Sequence, residues 1–380
     1  MLPMVRAQTD QRPLSKESPL WSLTAKQVGY SLLMFKNFLP TVGGDRVRIQ
    51  FLDGQRLALA WLTPDKVSPK LIGVMTHVPS HLHLAILDAQ TGQKLVYHDW
   101  ECSSVGVNIA YTASGQWLLA SDQSVTLYSP SFDKVRDLRN ARTQMFHTFI
   151  SPSGRTFLVH TKDSGGARST QLRDSTTFEV LDSWNDALVA DAQLAYSDHF
   201  VLARITEPRA PQHLYLREPR GSWKAFAVAE QDSKPARGTT YGFVNQDALV
   251  GFAGQELVLE TVGGTELFRS TVPEPGLYMG SWSSSATSMK GERFAVILDR
   301  LRGLRIEMLD MYPFQSEDRI IVYGIPQRGA IFSVKVKGLS PWRIGTSRSV
   351  WNRIALSPEG QMLGIVSDEG VRVYALPPIP

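Results

Sequence analysis

Between Val105 and Pro130 the chain alternates short apolar segments with tight polar turns. Val107, Ile109 and Tyr111 lead into Ala113-Ser114-Gly115. Trp117 to Ala120 follows, then Ser121-Asp122-Gln123-Ser124, then Val125-Thr126-Leu127-Tyr128. Each apolar segment has strand length, and each turn holds residues that accept positive φ or bond back to their own backbone. The pattern is an antiparallel β-meander, and related meanders recur down the chain.

The recurrence can be tested inside the sequence. Ser121-Asp122-x-x-Val125-x-Leu127-Tyr128 matches Ser367-Asp368-x-x-Val371-x-Val373-Tyr374, and each follows a turn ending in Gly-Gln, at Gly115 and Gly360. Five units share a Gly followed by Gln, Arg or Glu and then apolar residues: Gly54, Gly115, Gly154, Gly291 and Gly360. The interval from Gly154 to Gly291 leaves space for three repeats of about 45 residues, a spacing that fits propeller blades rather than shorter solenoid units.

Seven units emerge in order. The first spans Arg46 to about Trp100 and the second is the meander above, closing at Lys134 to Leu138. The third begins at Met145, the fourth at Gln193 and the fifth at Tyr241. The sixth surrounds Lys290-Gly291-Glu292, and the seventh runs from Ser349 to Leu376. A single four-stranded meander cannot bury both of its faces, whereas stacking blades in a ring does, leaving only short edges. The expected fold is all-β: a seven-bladed β-propeller of four-stranded antiparallel blades over residues 20–380, after a flexible arm over residues 1–19. The seventh unit shows only three strands. An N-terminal segment is therefore expected to add the fourth, with Val28–Phe35 or a neighbour as the candidate and a helix starting near Ser22 as the alternative for that stretch.

At Ser151-Pro152-Ser153-Gly154-Arg155 and Ser357-Pro358-Glu359-Gly360-Gln361 the chain resembles the Ser-Pro-Asp-Gly-type turns of WD40-like and bacterial YVTN-like β-propeller repeats. No regular Gly-His and Trp-Asp pair closes each unit, which departs from true WD40 repeats. The resemblance concerns architecture alone.

Composition narrows the functional classes. An apolar fraction of 43% supports a large core, and 20% charged residues argues against disorder. Forty basic against 36 acidic residues give a net charge of +4 without a run of like charges, so no nucleic-acid footprint is expected. No window of about 18 apolar residues offers a spanning helix. Cys102 is the sole cysteine and is read as a small half-buried hydrophobe. Met1 to Ala7 resembles the tail of a signal peptide with Val5-Arg6-Ala7 as the cleavage site; on that reading the protein is exported, and otherwise it is cytoplasmic.

The densest group of potential ligands is His77-x-x-x-His81-x-His83, followed by His98, Asp99, Glu101 and Cys102. His81 and His83 stand two apart on a strand and hence on one face, the spacing a Zn or Cu site on a β-hairpin would use. Polar strand-end residues of the first blade are the favoured reading, so His77, His81 and His83 are weak metal candidates and no metal or cofactor is expected. Asp163 to Arg168 lacks the Lys-Ser/Thr of a phosphate loop and reads as a solvated hairpin loop. Asp299, Glu307, Asp310, Glu317 and Asp318 crowd the sixth-unit insertion; a glycosidase would need two of them opposed across a cleft. Trp61 and Trp117 read as core, while Trp282 and Trp342 stand near loops. No Gly-x-Ser-x-Gly elbow is present. The expected function is a binding or protein-interaction scaffold, monomeric, contacting a protein or small-molecule ligand through inter-blade loops and the central channel. The alternative is a propeller hydrolase or lyase with its site at the channel mouth. No catalytic residue is assigned.

Overall fold

The computed structural model describes residues 18–30, 47–64, 80–102, 107–121, 124–139, 144–162, 168–184, 189–194, 198, 201–205, 213–218, 220–222, 224–225, 242–244, 248–253, 256–272, 277–279, 285–300, 317–337, 353–367 and 369–379. A first strand β1 (Trp21–Thr24) runs into a single helical turn α1 (Ala25–Val28). Blade 1 comprises β2 (Val47–Phe51), β3 (Arg56–Pro64), β4 (Ser80–Asp88) and β5 (Lys94–Cys102). Blade 2 holds β6 (Asn108–Tyr111), β7 (Trp117–Ala120), β8 (Ser124–Tyr128) and β9 (Lys134–Arg139). Blade 3 holds β10 (Gln144–Ile150), β11 (Thr156–Lys162), β12 (Arg168–Asp174) and β13 (Val180–Trp184). Blade 4 holds β14 (Val189–Leu194), β15 (Val201–Ile205), β16 (His213–Arg217) and β17 (Lys224–Ala225). Blade 5 holds β18 (Gly242–Phe243), β19 (Ala248–Ala253), β20 (Glu256–Thr261) and β21 (Glu266–Thr271). Blade 6 has β22 (Leu277–Met279), β23 (Ser285–Thr287), β24 (Arg293–Arg300), β25 (Glu317–Gly324) and β26 (Gly329–Lys337). Blade 7 has β27 (Ile354–Leu356), β28 (Met362–Ser367) and β29 (Gly370–Ala375) and takes β1 as its outer strand.

The expectation of uniform blades is corrected here. Six of these sheets, not seven, are the plain four-stranded units that the sequence predicts; the remaining sheet, blade 6, has five strands. Its inner strand is broken in two. β22 pairs with the far end of β24 (Met279 opposite Leu298) and β23 with the near end (Ser285 opposite Val296). Met279 and Ser285 stand six positions apart in sequence, whereas their partners Leu298 and Val296 stand two apart on β24.

Burial falls off toward the outer strands: β27 and β28 are buried throughout, whereas β5 and β9 are mostly exposed. A middle strand such as β24 is apolar on both sides because its blade is sandwiched between two neighbours. Along β24, Phe294, Val296 and Leu298 pack with blade 5, and Ala295 and Ile297 with blade 7. Full burial of each large apolar side chain of this kind contributes about 1.5–3 kcal/mol. Shared clusters join blades 1 and 2, 2 and 3, 3 and 4, 5 and 6, 6 and 7, and 7 and 1, and β14 lies beside β18 between blades 4 and 5. The sheets therefore close into a propeller.

The recurrent glycines have a common structural cause. In the turns after the inner strands, Gly115, Gly154, Gly291 and Gly360 have φ of 78, 69, 68 and 69°. Each donates its N–H to the carbonyl of a buried Thr or Ser three residues earlier, Thr112, Ser151, Ser288 or Ser357. Left-handed backbone favours Gly because a Cβ would meet the following carbonyl. The residue after the glycine is also used, through its backbone. The carbonyls of Gln55, Arg155, Glu292 and Gln361 accept from Ala89, Ser175, Ile325 and Leu376, which tie the end of each third strand back to the first turn.

Ring closure by an N-terminal strand occurs, but the strand is Trp21–Thr24 and not Val28–Phe35. Trp21 pairs with Val373 and Leu23 with Val371. Val28 ends the helical turn instead, because Thr24 and Gln27 form a capping box: the Gln27 N–H donates to Thr24 Oγ1 at 3.3 Å and the Thr24 N–H to Gln27 Oε1 at 2.8 Å. Gly29 stops the turn at φ 105°. Residues 31–35 lie outside the described residues. The segment fastens both neighbours, with the Trp21 indole donating to Ala89 O of blade 1 (2.8 Å) and the Tyr30 hydroxyl to Ser367 O of blade 7 (2.7 Å).

Candidate functional site

Antiparallel order fixes which connections share a face. Within each blade the first-to-second and third-to-fourth links leave one end of the sheet. The second-to-third link and the passage to the next blade leave the other. Between described strands, links at the first end hold six residues or fewer, as at 112–116 and 357–361. The described strands that flank 65–79, 226–241, 301–316 and 338–353 break off and resume at the opposite end. Long connections on one face of a rigid scaffold are where binding residues concentrate.

At that face, blade 1 carries the histidines singled out by the sequence. β3, β4 and β5 place Trp61, His83 and Asp99 in register, with His81 opposite Glu101 and Ala85 opposite Tyr97. Residues paired in register or two apart along a strand point to the same side. His81, His83, Tyr97, Asp99, Glu101 and Trp61 therefore share one side of the sheet.

Their rings layer over one another. His83 stacks on Trp61 at 5.2 Å between centroids and 30° between planes, and on Tyr97 at 6.1 Å and 22°. His81 lies 6.1 Å from His83 at 17°. Trp61 forms the buried floor at 3% exposure, and its indole N–H has no acceptor among the described residues. Tyr97 is the most open ring, 49% exposed, and Lys94 Nζ sits 5.5 Å from its centroid.

Each histidine is oriented by a neighbour. His83 Nδ1 lies 2.7 Å from the Tyr97 hydroxyl, and His81 Nδ1 lies 3.4 Å from Asp99 Oδ2. Burial lowers the pKa of His83; Asp99 opposes this and His81 adds to it. The imidazole is therefore neutral at pH 7. Burial likewise raises the Tyr97 pKa, with Asp99 acting in the same direction.

The sequence places His81 and His83 on one face, and so does the structure. Their rings lie nearly parallel, and no group of three or more His, Cys, Asp or Glu is placed to hold a metal among the described residues. His77 lies outside the described residues. His98 belongs to the other side of the sheet, stacked on Phe132 at 4.3 Å and 6°. Cys102 is half-buried, and burial pushes its thiol up to about 11, so it is a thiol at neutral pH. Trp61 and Trp117 are core residues, as their strand positions predict. In blade 6, Asp299 pairs in register with Asp318 and Arg300 with Glu317. Glu307, Asp310, Trp282, Trp342 and residues 163–167 fall outside the described residues. Nothing in the sequence marks Tyr97 as a member of the site, because its relation to His83 depends on the register of the β4–β5 hairpin.

The fold and this face define a β-propeller with an asymmetric pair of rims. No family model matches the chain, and no curated protein matches it. Solved structures similar to it include a chain of the mitotic checkpoint complex, at 10% identity and TM-score 0.49, covering 99% of this chain and 98% of that one. Another is the C-terminal WD40 domain of Sif2, at 11% identity and TM-score 0.45, covering 91% and 100%. A third is the dihydro-heme d1 dehydrogenase NirN in complex with DHE, at 14% identity and TM-score 0.40, covering 77% and 68%. These likenesses concern architecture, and the propeller class rests on the chain's own sheets and shared cores. Among the described residues, no helix is long and apolar enough to cross a membrane.

Proposed function

We propose that the chain is a binding scaffold that meets a protein partner or ligand on the rim carrying its long connections. The observation behind this reading is the asymmetry of the two rims. Short hydrogen-bonded turns close one face, while the long spans and the partly open ring array of blade 1 share the other. A scaffold that recognises something through loops needs one face free to vary and a framework that holds it still. The passages between blades belong to that same face.

A photo-crosslinking residue placed at Glu101 or Glu369, both on the proposed face, is expected to capture the same species from cell extract. The same residue at Thr91 or Glu359, in turns of the opposite face, is expected to capture none of it. The purified species should then bind saturably. Equal capture from both faces, or no saturable binding, would overturn the reading.

A further inference from the structure

The ring array on blade 1 has a chemical preference that follows from its geometry. Tyr97, His83, His81 and Trp61 present layered aromatic faces, and Asp99 and Glu101 stand on the same side of β5 as Tyr97. Asp99 is open to solvent, with 48% of its side chain exposed, and His81 is 34% exposed. Aromatic faces attract cations, and a carboxylate at the edge of such a face adds a charge partner. The Tyr97 ring already attracts a cation at one edge, since Lys94 Nζ lies 5.5 Å from its centroid while donating to Val28 O at 3.4 Å.

We infer that this face docks an arginine side chain of an extended partner peptide, its guanidinium layered on Tyr97 and paired with Asp99; this rests on the binding reading of the same rim. A guanidinium is planar, so it stacks on Tyr97 while its fork of donors meets a carboxylate, which an ammonium cannot do in one geometry. His83, neutral at pH 7, does not repel it. Among the described residues of β4 and β5, the other charged groups on this side are His81 beside Asp99, Glu101 opposite His81, and Lys94. Glu101 draws a cation toward the Asp99 end, and Lys94 repels it from the other. The chain as a whole carries +4, so its overall field does not attract a basic peptide and the attraction has to be local.

The test uses the full chain and a fluorescein-labelled Gly-Arg-Gly-Arg-Gly peptide, followed by anisotropy, with the Lys-for-Arg peptide as comparison. Saturable binding of the arginine peptide is expected, with the lysine peptide weaker by about tenfold, a difference of ~1.4 kcal/mol. Asp99→Asn and Tyr97→Leu, both at exposed positions that leave the core intact, remove the charge partner and the stacking ring in turn. Each should weaken binding of the arginine peptide about tenfold, and unchanged binding by Tyr97→Leu would overturn the stacking role. Equal binding of the two peptides, or unchanged binding by Asp99→Asn, would overturn the inference. Loss of peptide binding while the Glu101 and Glu369 crosslinks persist would refute arginine recognition and leave the rim reading standing.

Discussion

The Arg293 guanidinium crosses from blade 6 to blade 7 and donates to the carbonyl of Gly360 at 2.7 Å. Its other terminal nitrogen donates to Pro377 O at 2.5 Å, and the residue is only 1% exposed. A turn of the next blade and the stretch that follows β29 are thus held by one buried cation. The recurrent turn at Gly360 leaves just enough room for it, since a Cβ there would stand 3.0 Å from Arg293 Cδ.

Replacing Arg293 by Met keeps much of the volume and removes both donors, leaving two carbonyls without them. Hydrogen bonds from charged groups contribute about 1.5–3 kcal/mol each, so Arg293→Met is expected to lower unfolding stability by about 3 kcal/mol. Urea denaturation of the variant and wild type reads this directly. A change below about 0.5 kcal/mol would contradict the role, since that is the range of uninvolved surface substitutions.

Closure can be broken at a single atom. Gly370 begins β29 at φ 145°, and a Cβ there would lie 2.0 Å from the Leu23 carbonyl oxygen in β1. Both the backbone conformation and the strand pairing reject a side chain. Gly370→Ala should cost about 3 kcal/mol or more, combining strain of 1–3 kcal/mol with a displaced closing strand. Limited proteolysis should then cut within residues 18–30 well before the rest of the chain. Protection equal to wild type would show that β1 does not depend on this contact.

His83 gives stability a sign with pH. Burial holds its folded pKa below the ordinary 6.5, so the unfolded chain takes up a proton first as pH falls. Its contribution is complete above that unfolded value and is lost as pH drops toward the lower folded one. Urea midpoints measured between about pH 5 and 8 should fall on the acid side, and the fall should be shallower in His83→Gln. Identical pH profiles for the two proteins would contradict the assignment.

Much of the fold is legible in the residues themselves. The turns around Gly115, Gly154, Gly291 and Gly360 are readable because positive φ there leaves little choice of residue type. The match of Ser121–Tyr128 with Ser367–Tyr374 is genuine: β8 and β29 are both third strands of their blades. Of the N-terminal candidates, the segment neighbouring Val28–Phe35 closes the ring, for a local reason. The apolar run from Val28 looks like a strand, yet the Thr24–Gln27 capping box claims its first residue for a helical turn. The two-part inner strand of blade 6 is not legible, because Ser285-Ala286-Thr287 is too polar to read as a strand beside Leu277-Tyr278-Met279. At the candidate site, the shared face of His81 and His83 follows from their spacing alone. The partnership with Tyr97 and Asp99 does not, since the bulge between Ile86 and Leu87 sets how β5 aligns with β4.

Pairing Trp21–Thr24 with Gly370–Val373 joins stretches from opposite ends of the described chain. Those contacts can form only after everything between them has been arranged in a circle, which makes this junction slow to assemble because long loops must close before it is rewarded. It also acts as a clasp. While it is fastened, no single blade can leave without opening its two neighbours, and once it is released the circle has two loose ends from which sheets can peel away in turn.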